Sequence, residues 1–132
     1  MSFSQQISVW RKKVDKQMHD QKREIILRLF RAVIYDTPVL EGTLRANWRC
    51  SPNNPLSTVI EYRPAEQVMQ EIQSVLEGAL LKDTIYLRNN LPYAYPIEYL
   101  GWSSIKAPQG MVRKNVARFN TIAKQVLGNS II

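Results

Sequence analysis

The feature that most constrains this chain is a run of apolar residues spaced three and four apart across residues 4–35. Its members are Ile7, Trp10, Val14, Met18, Ile25, Leu29 and Val33. This spacing places them on one face of a helix. An unbroken helix of this length would span roughly 45 Å, more than a small domain can cover on one side. We therefore expect the half before a break near Gln21 and Lys22 to project or to pack on another subunit.

The second half of this helix is predicted to lie in the core, because its apolar face widens to include Ile26, Leu27, Phe30 and Ile34. The sequence Asp36-Thr37-Pro38 predicts its end, since the residue before a proline is pushed out of the helical region.

The helix also carries most of the basic excess of a chain whose net charge is +7 and whose pI is near 9.8. Such a charge favours an anionic partner, either nucleic acid or an acidic protein surface. Charge runs on helices are also typical of a solvated face, and the sequence leaves both readings open. The candidate contacts to a DNA channel or an acidic partner are Arg11, Lys12, Lys13, Lys16, Lys22 and Arg23.

The rest of the chain predicts a small mainly antiparallel sheet packed against helices. Alternation over residues 44–50 and 58–63 indicates two strands joined as a hairpin, and residues 83–88 indicate a third. A helix is predicted after Pro64, and another after Pro108 that ends near Gly128. We expect one α+β domain over residues 1–132, with a long N-terminal helix at 4–35, an α+β core at 36–132 and a C-terminal helix.

Residues 91–111 combine aromatic side chains with prolines. The prolines at 92, 96 and 108 exclude a long helix or a central strand, so we expect an ordered loop. Its aromatic residues offer large apolar area at low entropic cost, which suits a contact with a partner. The alternative is a loop packed on its own core. The candidate interface residues are Trp10, Tyr93, Tyr95, Tyr99 and Trp102.

The sequence provides little of what an enzyme requires. Cys50 ends the inward row of a predicted strand and is expected to be a small buried hydrophobe, and Trp48 in the same row is expected to be core rather than a base-stacking residue. His19 lies among charged residues and is expected to be solvated. Three glutamates, at positions 41, 61 and 98, fall in different elements. We expect no catalytic residue, metal, cofactor or small-molecule substrate.

Two segments carry a resemblance to a known family. Thr37, Pro38, Val39, Gly42, Leu44, Arg45 and Trp48 follow the pattern TPVDTGxLRxxW. Pro92, Tyr93, Ala94, Ile97, Glu98, Tyr99, Gly101 and Ser103 follow the pattern PYAxxIEYGxS, with Leu100 inserted. Together they resemble the minor tail or tail-completion (neck) proteins of long-tailed double-stranded-DNA bacteriophages, in particular the putative tail-component family of lambdoid phages.

The resemblance implies a non-enzymatic virion protein of the head–tail neck that forms a ring, usually sixfold or twelvefold, and we expect a hexamer. It implies contacts with neighbouring connector, tail-terminator or tail-tube proteins, nonspecific contact with genomic DNA, and location in the virion after assembly in the host cytoplasm. The residues of the motifs with an expected structural role are Pro38, Gly42, Arg45, Trp48, Pro92, Glu98 and Gly101. No run of about 18 apolar residues is present, so we expect no membrane contact. The alternative function is a small basic protein that binds DNA without sequence preference.

Overall fold

The computed structural model describes residues 2–39, 42–101, 107 and 109–128. The long N-terminal helix, α1, is continuous from Phe3–Asp36. Its first turn is closed by a capping box, in which Ser2 Oγ accepts from Gln5 N–H at 3.2 Å and Gln5 Oε1 accepts from Ser2 N–H at 2.8 Å. The interruption in the apolar pattern near Gln21 and Lys22 does not break the helix. Both are good helix formers, and no glycine or proline interrupts the backbone hydrogen bonds there.

The irregularity in the apolar pattern instead marks a change in what α1 packs against. Residues 2–13 are all exposed, whereas Val33 and Ile34 are 2% and 0% exposed. The later part of α1 packs on α3 (Ala65–Gly78), α5 (Val112–Val116) and α6 (Phe119–Leu127). We call residues 3–18 the arm, because the subunit leaves most of this part of α1 uncovered.

The segment after α1 begins with a short helix, α2 (Thr43–Ala46), and the first strand, β1, follows at Trp48–Pro52. The prediction that the strand begins at residue 44 is therefore wrong at its start. Its inward row is nevertheless confirmed at two positions, since Trp48 and Cys50 are 5% and 1% exposed.

β1 pairs antiparallel with β2 (Ile85–Asn89), and Cys50 lies opposite Leu87. The predicted strand at residues 58–63 is absent, so the hairpin prediction is wrong. The cause is a buried side chain, because Asn47 Oδ1 accepts from Ile60 N–H and Asn47 Nδ2 donates to the Ile60 carbonyl, both at 2.7 Å. One amide side chain thus satisfies the backbone groups that a neighbouring strand would otherwise bind.

α3 begins after Pro64, as predicted, and buries Val68, Ile72 and Leu76 at helical spacing. These residues join Val33, Ile34, Trp48 and Met111 in the core. The fold class is therefore α+β, with a long N-terminal helix, a small antiparallel sheet packed against helices and a C-terminal helix, as the sequence predicts.

Two predictions for the last third of the chain need correction. The segment expected to be a loop contains a short helix, α4 (Ala94–Tyr99), in which Pro96 occupies the first turn, where a proline costs no helical hydrogen bond. The helix predicted beyond Pro108 is two helices, α5 and α6, which meet at Ala117 and Arg118. Asn115 in α5 is buried and donates to Asp36 Oδ2 at 2.9 Å, which ties α5 to the end of α1.

Candidate assembly surfaces

The first family-like segment forms the joint between α1 and the sheet. Thr37 is buried, and its hydroxyl donates to the Val33 carbonyl at 2.7 Å while accepting from Trp48 Nε1 at 2.8 Å. The indole of Trp48 therefore has its polar group satisfied inside the core, which allows this large side chain to be buried without a desolvation penalty. These contacts give Thr37 and Trp48 a structural role.

Arg45 closes the C-terminal end of α1. Its Nε donates to the Ile34 carbonyl at 3.0 Å, and its Nη2 donates to the carbonyls of Tyr35 and Thr37 at 3.2 and 3.3 Å. The Ile34 carbonyl also accepts from the Thr37 N–H at 3.3 Å, and the negative end of the helix dipole favours a cation beside these carbonyls. The pattern LR in the first segment thus supplies the cap of the longest helix.

Glu98 joins the second family-like segment to the start of α5. Its carboxylate is buried and accepts from the backbone N–H groups of Met111, Val112 and Arg113 at 2.5, 2.9 and 2.8 Å. Burial raises the pKa of Glu98, but the backbone hydrogen bonds from Arg113, Val112 and Met111 outweigh it, so the pKa lies below the ordinary 4.5. Arg113 also pairs with this carboxylate at 3.3 Å and donates to the Glu98 carbonyl.

The other four motif residues with an expected structural role lie in the connections between helices and strands. Pro38 is half-buried directly after α1, and Pro92 is exposed two residues before α4. Gly42 precedes α2 with a φ of +83°, and Gly101 follows α4 with a φ of +67°.

An exposed aromatic surface is formed by Tyr93, Tyr95, Tyr99 and Leu100. The rings of Tyr95 and Tyr99 contact each other at a tilt of 40°, with centroids 4.8 Å apart. The two residues are 62% and 54% exposed. The guanidinium of Arg113 lies 4.9 Å from the Tyr99 ring centroid. The interface candidate Trp102 lies outside the described residues.

A second exposed apolar surface runs along the arm. It is the apolar stripe, which consists of Phe3, Ile7, Trp10, Val14 and Met18. Phe3 and Trp10 are 77% and 65% exposed, so two large aromatic side chains of one helix face stay in contact with water. An apolar helix face of this kind marks a contact with another molecule more often than a stable solvated surface.

The six basic candidates divide into two groups. Arg11, Lys12, Lys13 and Lys16 are exposed and form no ion pair within the described part of the chain. Lys22 instead donates to the carbonyls of Leu81 and Asp83 at 2.7 and 2.5 Å, and Arg23 pairs with Asp20 at 2.5 Å. Among these six candidates, the cations available to a partner are therefore the four on the arm.

The single cysteine, Cys50, is held in an unreactive setting. Burial, with the nearby charge of Glu71, raises the pKa of the Cys50 thiol to about 12, so the thiolate is scarcely populated at neutral pH. His19 is half-buried with its Nε2 lacking a hydrogen-bond partner among the described residues, so the expectation of a solvated side chain is wrong. Glu61 is exposed, Glu98 is buried in its own contacts, and Glu41 lies outside the described residues.

Two sets of polar contacts in the structure are not predicted by the sequence patterns. Glu71 pairs with Arg49 at 3.2 Å and Arg63 at 3.0 Å, and it also accepts from Cys50 N–H at 3.1 Å. The only sequence signal for this set is a glutamate beside the apolar row of α3. Gly110, with a φ of +83°, brings its backbone against the Glu98 carboxylate, and no spacing rule connects these two positions.

Within the described ranges, no group of three or more histidine, cysteine, aspartate and glutamate side chains is placed to hold a metal ion. None of the described helices combines the length and apolar composition needed to cross a bilayer. Comparisons with protein-family models, curated proteins and solved structures found no match to this chain.

Proposed function

We propose that the protein is a virion structural protein of the head–tail neck of a tailed bacteriophage, a tail-completion component that assembles into a ring. The observation that carries this proposal is the arm, whose apolar stripe is left uncovered by its own subunit. An apolar helix face that stays exposed in the single subunit is typical of a protein that functions in an assembly. The sequence resemblance supplies the kind of assembly.

Two exposed apolar surfaces made of different residues support a ring. A closed ring of identical subunits uses head-to-tail contacts, so each subunit needs two unlike surfaces rather than one self-complementary surface. The subunit has unlike exposed surfaces of this kind, and connector, tail-terminator or tail-tube proteins would contact those that the ring leaves exposed. We propose a hexamer.

The two family-like segments have a defined task under this proposal. Arg45 and Trp48 fix the end of α1, and Glu98 fixes the start of α5 beside the aromatic surface. Both exposed surfaces are thereby held on rigid elements, which lowers the entropy lost on assembly. The protein needs no catalytic group for this role.

Electron density of the neck in an intact particle tests the proposal. We expect a closed ring in which every subunit is one copy of this chain, with each arm in contact with protein. Complementation of a phage that lacks the gene gives the functional readout, with heads and tails accumulating separately in its absence. Single asymmetric copies at the neck, or normal joining without the protein, would contradict the proposal.

The second candidate is nonspecific DNA binding, which the four unpaired cations of the arm favour. Phosphate contacts release counterions, so the affinity for duplex DNA would fall steeply as salt is added and would not depend on sequence. Binding of the purified protein to two unrelated duplexes over a salt series measures this. Affinity that survives high salt and differs between the duplexes would exclude a purely electrostatic contact.

A further inference from the structure

The arm presents a basic face that its apolar stripe does not use. At about 100° of rotation per residue, Lys12 and Lys16 lie within about 40° of each other, on the side of the helix away from Trp10. Both lysines are exposed and form no ion pair within the described residues. Their ammonium groups carry three donors each and no acceptor, so they suit a surface of carboxylate and amide oxygens.

α3 presents a surface of this kind. Its outward residues at helical spacing are Glu66, Gln70, Gln73 and Glu77, all exposed and within about 60° of one another around the helix. The helix contains no lysine or arginine, although the chain as a whole carries a charge of +7. Glu66 and Glu77 form no ion pair among the described residues, unlike Glu71 on the inner edge of the same helix.

The other exposed surfaces of the subunit fit the arm less well. Pairing of two arms would set each lysine against a second cationic arm. The aromatic surface adjoins the cation of Arg113, whose guanidinium lies 4.9 Å from the Tyr99 ring centroid. Like charges at a contact suppress association, whereas opposite charges set its orientation.

We propose that the arm of one subunit lies across α3 of the next copy of this chain, with Lys12 and Lys16 facing the stripe between Glu66 and Glu77. The inference rests on the proposed function, because it specifies which surfaces of the ring meet. Exposed ion pairs contribute little affinity individually, so the main effect of this contact is to fix the orientation of the arm. The apolar stripe then points away from α3, toward a further component.

The test reverses the charge of two adjacent arm residues, one lysine and one arginine, in separate variants. Self-association of each purified full-length variant is measured by sedimentation at low ionic strength. Lys12→Glu is expected to weaken self-association about fivefold, since reversal replaces an attraction by a repulsion. Arg11→Glu is the matched control, because it changes the net charge equally but lies about 100° away around the helix. Glu66→Lys and Glu77→Lys are expected to weaken association to a similar extent. Lys12→Glu combined with one of the two glutamate reversals is expected to regain most of the lost association.

Equal effects of Lys12→Glu and Arg11→Glu, failure of every combination to recover, or a wild-type chain that stays monomeric would overturn the inference. Loss of duplex DNA binding in Lys12→Glu with unchanged self-association would assign the basic face to nucleic acid instead. Melting curves separate effects on folding from effects on association, and little effect on folding is expected because all four positions are exposed. A ring in the neck density that these variants leave intact would reject this contact and retain the proposed function.

Discussion

Glu98 is the residue on which the C-terminal third depends most directly. Three backbone N–H groups and one guanidinium converge on a single buried carboxylate. Hydrogen bonds to a charged group contribute more than neutral ones, and an unpaired buried group costs its full desolvation.

Replacement of Glu98 by glutamine should lower the free energy of unfolding by about 2 kcal/mol at pH 7, because the amide nitrogen cannot accept a hydrogen bond. The pKa of Glu98 is lower in the folded state than its ordinary 4.5, so its contribution is complete above that pH and is lost as the pH falls through the folded pKa. Thermal melting over a pH series measures this. We expect the gap between wild type and Glu98→Gln to narrow below about pH 4.5. A gap that is constant from pH 7 to pH 3 would show that the carboxylate charge does not contribute.

Gly110 and Gly101 offer a matched pair for separating backbone strain from crowding. Both have a left-handed φ, of +83° and +67°, but a Cβ at Gly110 would lie 2.6 Å from Glu98 Oε1, whereas a Cβ at Gly101 meets nothing within 4 Å among the described residues. Gly101→Ala should cost about 1 kcal/mol from backbone strain alone. Gly110→Ala should cost at least about 2 kcal/mol more, since the carboxylate must leave its three N–H partners. Urea unfolding of the two variants decides it, and equal losses would show that the carboxylate moves without cost.

At the scale of elements, the end of α1 is held by Arg45. Replacement by lysine keeps the charge but supplies a single ammonium in place of a planar fork that reaches three carbonyls. We expect Arg45→Lys to lower stability by about 1 kcal/mol and Arg45→Ala by about 2 kcal/mol, measured by chemical denaturation. Arg11→Lys, at an exposed position of the same helix with no ion pair among the described residues, is the control and should be nearly neutral. A lysine variant as stable as wild type would mean that charge alone caps the helix.

The elements that sequence periodicity predicts well are those whose partners are apolar. α1 and α3 match the predicted helices within a residue or two, because their buried rows follow the helical period. The prediction of a strand at residues 58–63 is wrong, because the side chain of Asn47 binds both backbone groups of Ile60. A side-chain contact of this kind leaves no periodic pattern in the sequence. The interruption in the apolar pattern of α1 marks a change in what the helix packs against. The contact between Glu98 and the start of α5 was equally hidden, because it joins residues 13 to 15 positions apart through a glycine-dependent turn.

At the scale of the whole molecule, stability and assembly should be separable. Trp48 is 5% exposed and bonded to Thr37, whereas Tyr95 is 62% exposed. Trp48→Ala should lower the free energy of unfolding by about 3 to 5 kcal/mol. Tyr95→Ala should leave the melting temperature near that of wild type. Under the proposed function it should fail to join heads to tails in complementation, because interface aromatics often contribute about 2 kcal/mol or more to association. If Tyr95→Ala melts as early as Trp48→Ala, the aromatic surface is core packing instead.

The setting of Cys50 has a practical consequence. It is the one cysteine in the sequence, it is 1% exposed, and its pKa is raised to about 12. Thiol-directed dyes react with the accessible thiolate, so the native protein is expected to remain unlabelled at neutral pH. A cysteine introduced on the arm would then be the sole reactive position without any change to the core. Fluorescence transfer between singly labelled subunits could follow assembly in real time, on an otherwise wild-type chain.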